Sequence, residues 1–217
     1  MSTPRARRRK ARCGERPAVL LALVAAVGCA GPKAHLSADL IERLPMEGRV
    51  AIYDRENDVT IAKNRRDEAR ASIERLEEEL AQLSERQKRA EARLAKMGFA
   101  GRSGQLRSMV DARKGYLQAQ LRVAEAQLDG ADLEVTASQA RLEQARQRQL
   151  VRFGLAPETD LGAFDAEAER LDKRSREAER KEADVRAQAQ KVFLNWKLAE
   201  DAYVGATGDH DAMVWVD

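Results

Sequence analysis

The chain has 217 residues, of which 35% are charged and 4% are aromatic, and it contains five prolines. Its abundant alanine, leucine, glutamate, arginine and glutamine favour helices, and large apolar side chains are too few for a thick globular core. The formal charge is +3, and the two signs are interspersed along the chain. Composition therefore argues against a nucleic-acid-binding protein, which would carry a strong basic excess or stripe.

The first segment of the chain has the order of a secretory signal. Seven lysines and arginines lie in residues 5–16, together with one acid, Glu15, and residues 18–27 form an unbroken apolar run. As a helix, a run of this length rises about 15 Å, which is too short to cross a hydrocarbon layer of about 30 Å. We therefore predict a cleaved signal peptide over residues 1–28. Without it, the chain holds 32 basic and 35 acidic residues, a net charge of −3.

The end of the apolar run carries the motif AAVGC, residues 25–29. It resembles the lipobox of bacterial lipoproteins: Val27, Gly28 and Cys29 match, and Ala26 stands where the family usually has leucine. The resemblance implies that Cys29 is acylated and becomes the mature N-terminus. Ala30 replaces the aspartate that retains lipoproteins of enteric bacteria in the inner membrane. An outer-membrane lipoprotein facing the periplasm is therefore implied, with the cell surface left open. The alternative is an ordinary cleaved signal with an incidental cysteine.

Three apolar seams follow, in which apolar residues recur at alternating steps of three and four, as in coiled coils. The first seam is apolar at ten of its twelve positions, namely Val59, Ala62, Arg66, Ala69, Ile73, Leu76, Leu80, Leu83, Gln87, Ala90, Leu94 and Met97. The second is apolar at nine of Val110, Lys114, Leu117, Leu121, Ala124, Leu128, Ala131, Val135, Ser138, Leu142, Ala145 and Gln149. The third is apolar at ten of Phe164, Ala168, Leu171, Ser175, Ala178, Glu182, Val185, Ala189, Val192, Trp196, Ala199 and Tyr203.

Glycine-rich segments separate the seams. GFAGRSG (98–104) and FGLAPETDLG (153–162) predict turns, and Pro32 and Pro45 interrupt the region before the first seam except for a helical patch at 38–44. Short turns place consecutive helices side by side in opposite directions. We predict an all-α fold of long antiparallel coiled-coil helices, either a three-helix rod or an extended hairpin with the first helix alongside. Its segments are a lipidated tether (29–50), helices over 51–97, 105–152 and 158–204, and a tail (205–217).

The turn after the second helix resembles the α-hairpin tip of periplasmic adaptor proteins of efflux and secretion systems. Arg146, Leu150 and Gly154 match the arginine, the leucine four residues later and the glycine of that tip, and Pro157 replaces its serine. The resemblance implies that these residues contact a partner protein. The alternative is a generic turn between helices. The apolar tail around Trp215 is expected either to pack back on the helices or to contact a partner.

The sequence offers little for catalysis. His35 and His210 are its two histidines, and residues 209–211 (DHD) lack the fixed geometry of a metal site. The acids recur at helix-surface spacing, so we predict neither an enzyme nor a cofactor or metal site.

We expect a lipid-anchored periplasmic spacer or scaffold in an envelope complex, which binds a protein partner or self-associates through its helices. The alternatives are an adaptor-like component of an export system and a holdase chaperone for outer-membrane proteins.

Overall fold

The structure is a computed structural model that describes residues 38–156 and 161–210. Every regular element within these residues is helical. In chain order the elements are α1 (Ala38–Glu42), α2 (Met46–Lys96), a short 3-10 helix (Ala100–Arg102), α3 (Ser103–Arg152) and α4 (Leu161–Thr207). The predicted all-α class with long helices is thus confirmed for the described residues. The predicted signal peptide lies outside them.

The region predicted as a tether over 29–50 contains α1 and the first turn of α2. Pro45 has an extended backbone, with φ −62° and ψ 160°, immediately before α2. Gly48, within the predicted tether, is inside the helix and serves packing: a Cβ at this position would lie 2.9 Å from Cε2 of Phe153. The helix begins directly after Pro45, five residues before the predicted boundary, and the absence of a side chain at Gly48 lets the Phe153 ring pack against it.

Two of the long helices end in the same way. Gly98 has φ 80° and Gly154 has φ 69°, which is the left-handed region that glycine enters without steric cost. Beyond each glycine the backbone N–H returns to the helix: that of Phe99 donates to the Leu94 carbonyl at 3.0 Å, and that of Leu155 to the Leu150 carbonyl at 2.8 Å. These are the six-to-one bonds of the Schellman motif. They satisfy carbonyls that would otherwise lack partners and direct the chain into each turn.

The predicted seams of α2 and α4 lie on the inner faces of those helices. Every predicted position of the third seam is buried or half-buried, and the first seam departs from this only at Met97, which is 41% exposed. Each of these helices packs mainly against a single neighbour, α3. One neighbour buries one face, so a single heptad register describes each helix.

The central helix α3 is buried on two faces. Its predicted seam is buried or half-buried apart from Lys114, yet a second set of buried residues lies outside that seam: Leu106, Met109, Val123, Ala126, Ala137, Gln147 and Leu150. This second face exists because α3 packs against both α2 and α4. A single seam underestimates how much of α3 forms the core.

Apolar clusters connect the helices at both ends of α3. The first joins the end of α2 to the start of α3 and the last turns of α4, and its buried members are Leu83, Ala90, Leu94, Leu106, Met109, Val110, Leu117 and Tyr203. The second joins the start of α2 to the end of α3, and its buried members are Leu44, Ile52, Val59, Leu142 and Leu150. Ion pairs join the same ends of these helices. Glu91 near the end of α2 contacts Arg107 near the start of α3, and Glu47 at the start of α2 contacts Arg152 at the end of α3.

Candidate functional surfaces

The residues of the predicted docking tip are engaged within the chain. Leu150 is fully buried in the second apolar cluster, where α1 and the start of α2 cover the end of α3. Arg146 is 24% exposed, and its guanidinium contacts the carboxylates of Glu56 on α2 at 2.8 Å and Glu143 at 2.9 Å. Gly154 supplies the left-handed turn. Leu150 and Arg146 therefore have structural partners, and Pro157 lies outside the described residues.

Replacing Arg146 with glutamate is expected to lower the free energy of unfolding by about 1–2 kcal/mol, because it exchanges two charge-assisted hydrogen bonds for repulsion. Adding Glu56→Arg to the same chain should recover part of this loss by re-forming the pair with reversed signs. Denaturant unfolding monitored by circular dichroism measures both effects. Arg70→Glu, at an exposed position of α2, is the matched control and should change stability by less than about 0.5 kcal/mol. Additive losses in the double variant would contradict the pairing.

A buried polar network fixes the end of α4. The Tyr203 hydroxyl lies 3.3 Å from Asp209 Oδ2, and the other carboxylate oxygen of Asp209 is 3.3 Å from Arg93 near the end of α2. The Thr207 hydroxyl accepts a hydrogen bond from the Asp209 backbone N–H. Burial, with the charge of Asp209 nearby, raises the pKa of Tyr203 above 10.0. The phenol therefore stays neutral at physiological pH and acts as a fixed link between α4 and α2.

Aromatic rings concentrate where α3 meets the second half of α4. Tyr116 stacks on Trp196 at 5.3 Å between ring centroids, and Phe193 packs against both rings. The Arg113 guanidinium and the Lys197 ammonium each lie 4.4 Å from the centroid of Trp196. Trp196 is 6% exposed, so this cluster packs the two helices together, as expected for a core tryptophan.

A charged groove of about 1000 Å³ lies along the first half of α4, with Arg55 of α2 and Arg141 of α3 also lining it. Two of its acids have partners: Asp172 pairs with Arg141, and Asp165 accepts hydrogen bonds from Gln144 and Arg148. These two hydrogen bonds lower the pKa of Asp165 below 3.8. A general acid or base at neutral pH needs a shift in the opposite direction, so this carboxylate suits a structural ion pair.

The outward face of α2 carries an uncharged stripe that the heptad analysis missed. Its four large apolar side chains are Met46, Val50, Tyr53 and Ile61, which are 65%, 45%, 53% and 42% exposed. Asn57, Thr60 and Asn64 continue the same face at steps of three and four, and all three are exposed. We refer to these seven residues as the α2 outer stripe. The signal available in the sequence was the lack of charge at every one of its positions.

No protein-family model, curated protein or solved structure matches the chain. Within residues 38–156 and 161–210, no three His, Cys, Asp or Glu side chains are grouped as metal ligands. The same part of the chain contains no helix long and apolar enough to span a membrane. Of the sequence-predicted sites, Cys29 and Trp215 lie outside the described residues, as does Asp211 of the DHD segment.

Proposed function

We propose that the mature protein begins at Cys29, is anchored in the outer membrane by acyl chains on that residue, and faces the periplasm. Its helices form an antiparallel coiled coil that acts as a non-catalytic spacer or scaffold within a cell-envelope complex. The observation that carries this proposal is a lipobox-like signal followed, after a short segment, by three helices of 51, 50 and 47 residues.

The dimensions and charges of the helices support a spacing role. A helix of 50 residues is about 75 Å long at 1.5 Å per residue. Charged side chains form pairs between helices, such as Arg65 of α2 with Glu134 of α3 at 2.7 Å, and Lys181 of α4 with Asp129 of α3 at 3.6 Å. Such pairs link adjacent helices along their length, as the spacing role requires.

Two further functions make different demands on the same chain. An adaptor needs Arg146 and Leu150 to face a partner, whereas the ion pairs of Arg146 and the burial of Leu150 favour an internal role. A holdase chaperone would be expected to carry a basic, client-lining face, and the net charge of −3 after residue 28, with mixed signs, does not favour one. Both remain alternatives that co-purification separates.

Replacing Cys29 with serine is expected to abolish fatty-acid labelling, to block removal of residues 1–28, and to deplete the protein from outer-membrane fractions. Several acyl chains, each contributing about 0.8 kcal/mol per buried CH₂, make anchoring stable where one chain would be marginal. The measurement is incorporation of a clickable fatty acid, followed by fractionation. Cys13→Ser is the matched control and should leave labelling unchanged. Equal labelling of the wild-type and Cys29→Ser chains would refute acylation at this residue.

Crosslinking in intact envelopes, followed by purification, distinguishes the three functions. A spacer or scaffold should recover one stoichiometric partner, and the charge-swapped chain Arg146→Glu with Glu56→Arg should recover it equally well. An adaptor should lose its partner in the charge-swapped chain even though the fold is retained, because the charge at position 146, which the partner would contact, has changed sign. Recovery of many unfolded outer-membrane proteins would instead identify a chaperone.

A further inference from the structure

We propose that the α2 outer stripe rests on the surface of the membrane that holds the N-terminal lipid. The inference depends on the proposed acylation of Cys29 and adds a second contact, through which α2 lies along the lipid headgroups. The stripe faces away from the core between the helices. Ile52 and Val59 of the same turns are buried, whereas the apolar members of the stripe are exposed, namely Met46, Val50, Tyr53 and Ile61.

The anchor keeps the stripe near the membrane. Cys29 precedes Met46 by 17 residues, and a fully extended chain of that length spans at most about 60 Å. Linking two binding elements makes the second binding step intramolecular, so a weak surface contact becomes effective at the local concentration that the tether provides. A patch too small to bind membranes from solution can therefore bind when the chain is anchored.

The side chains of the stripe suit the boundary between headgroups and acyl chains. Tyrosine combines an apolar ring with a polar hydroxyl and is favoured at this boundary. Neighbouring acids are engaged with arginines: Glu47 with Arg152 at 2.7 Å, and Asp58 with Arg55 at 3.0 Å. Asp54 is exposed beside Tyr53. Its carboxylate keeps α2 at the level of the lipid headgroups and out of the acyl chains. Flanking Lys63 can extend its ammonium toward lipid phosphates.

The size of the stripe argues for a lipid surface over a second copy of the chain. From residue 46 to residue 64 the helix rises about 27 Å, and a helix is about 10 Å wide. The stripe thus offers about 270 Å² per partner, against the roughly 800 Å² per partner of a stable protein interface. A dimer formed through this face alone would be too small to persist, whereas the lipid anchor supplies the remaining affinity for the membrane.

An environment-sensitive probe tests the inference. Full-length protein is acylated in cells, reconstituted into vesicles of phosphatidylethanolamine and phosphatidylglycerol, and labelled with a nitrobenzoxadiazole fluorophore at Ile61→Cys. Leu198→Cys on α4 is the matched control, since Leu198 is also an exposed apolar residue, at 67%. We expect emission at position 61 to shift to shorter wavelength on vesicles, emission at 198 to stay water-like, and an added Tyr53→Asp substitution to reduce the shift at 61.

Three outcomes overturn the inference, and they can be told apart. Water-like emission at position 61 in a chain that mass spectrometry shows to be acylated and vesicle-bound refutes the stripe contact and leaves the lipoprotein proposal standing. Absence of the acyl mass removes both. A blue shift at position 61 in the chain expressed from Ala30 onward in buffer, growing with protein concentration, identifies a second copy as the occupant.

Discussion

Replacing Leu150 with alanine is expected to lower the free energy of unfolding by about 2–5 kcal/mol. Leu150 is fully buried and packs with Leu44, Ile52 and Leu142, so the substitution leaves a cavity where α1, α2 and α3 meet. The loss combines the apolar surface returned to water with the contacts that the cavity walls forfeit. Urea unfolding of the chain expressed from Ala30 onward, which lacks the signal and the acylated cysteine and should need no detergent, measures the change.

Leu198→Ala is the matched control for this substitution. Leu198 is also a helical leucine, yet it is 67% exposed on α4, so its truncation should change stability by less than about 0.5 kcal/mol. Comparable losses at the two positions would mean that Leu150 is not in the core. A stable Leu150→Ala chain that fails to recover its envelope partner would restore the adaptor hypothesis, in which this leucine serves docking.

Replacing Tyr203 with alanine is expected to cost about 3–5 kcal/mol, as for other buried aromatic residues. Its side chain is fully buried in the first apolar cluster, which draws on α2, α3 and α4, and its hydroxyl contacts Asp209. Truncation removes the ring and leaves the buried Asp209 with Arg93 but without the phenol. Thermal unfolding by calorimetry should show a lower midpoint.

Two comparisons separate the contributions of Tyr203. Tyr203→Phe keeps the ring and loses only the hydroxyl contact, so it should cost about 1 kcal/mol, close to the net value of one hydrogen bond. Tyr53→Ala removes the same side chain from the α2 outer stripe, where it is 53% exposed, and should be nearly neutral in the chain expressed from Ala30 onward in buffer. A neutral Tyr203→Ala substitution would show that α4 does not pack there.

The heptad pattern predicted the inner faces of α2 and α4 because each helix packs mainly against one neighbour. It described α3 incompletely, since residues such as Met109 and Ala137 form a second buried face that stepping from a single starting position does not reveal. The tether was predicted to extend to residue 50, because the sequence cannot show that α2 begins at Met46 and that the Phe153 ring occupies the space a side chain at Gly48 would need.

The candidate site residues also show what the sequence alone could not predict. The resemblance to an adaptor hairpin tip implied that Arg146 contacts another protein. Its ion-pair partner Glu56 is 90 residues away in the chain, and only the register of α2 on α3 brings them together. The α2 outer stripe was detectable in principle as positions without charge from 46 to 64. A search for the buried seam passes over it, because the stripe lies on the opposite face of the helix.

Mass spectrometry of the mature N-terminus, isolated from outer membranes, tests the lipid-anchored spacer account most directly. The account predicts an N-terminal peptide that begins at Cys29 and carries the added mass of its acyl chains, recovered with the outer-membrane fraction. A mature chain that begins at another residue, or that begins at Cys29 with no added mass, would contradict it.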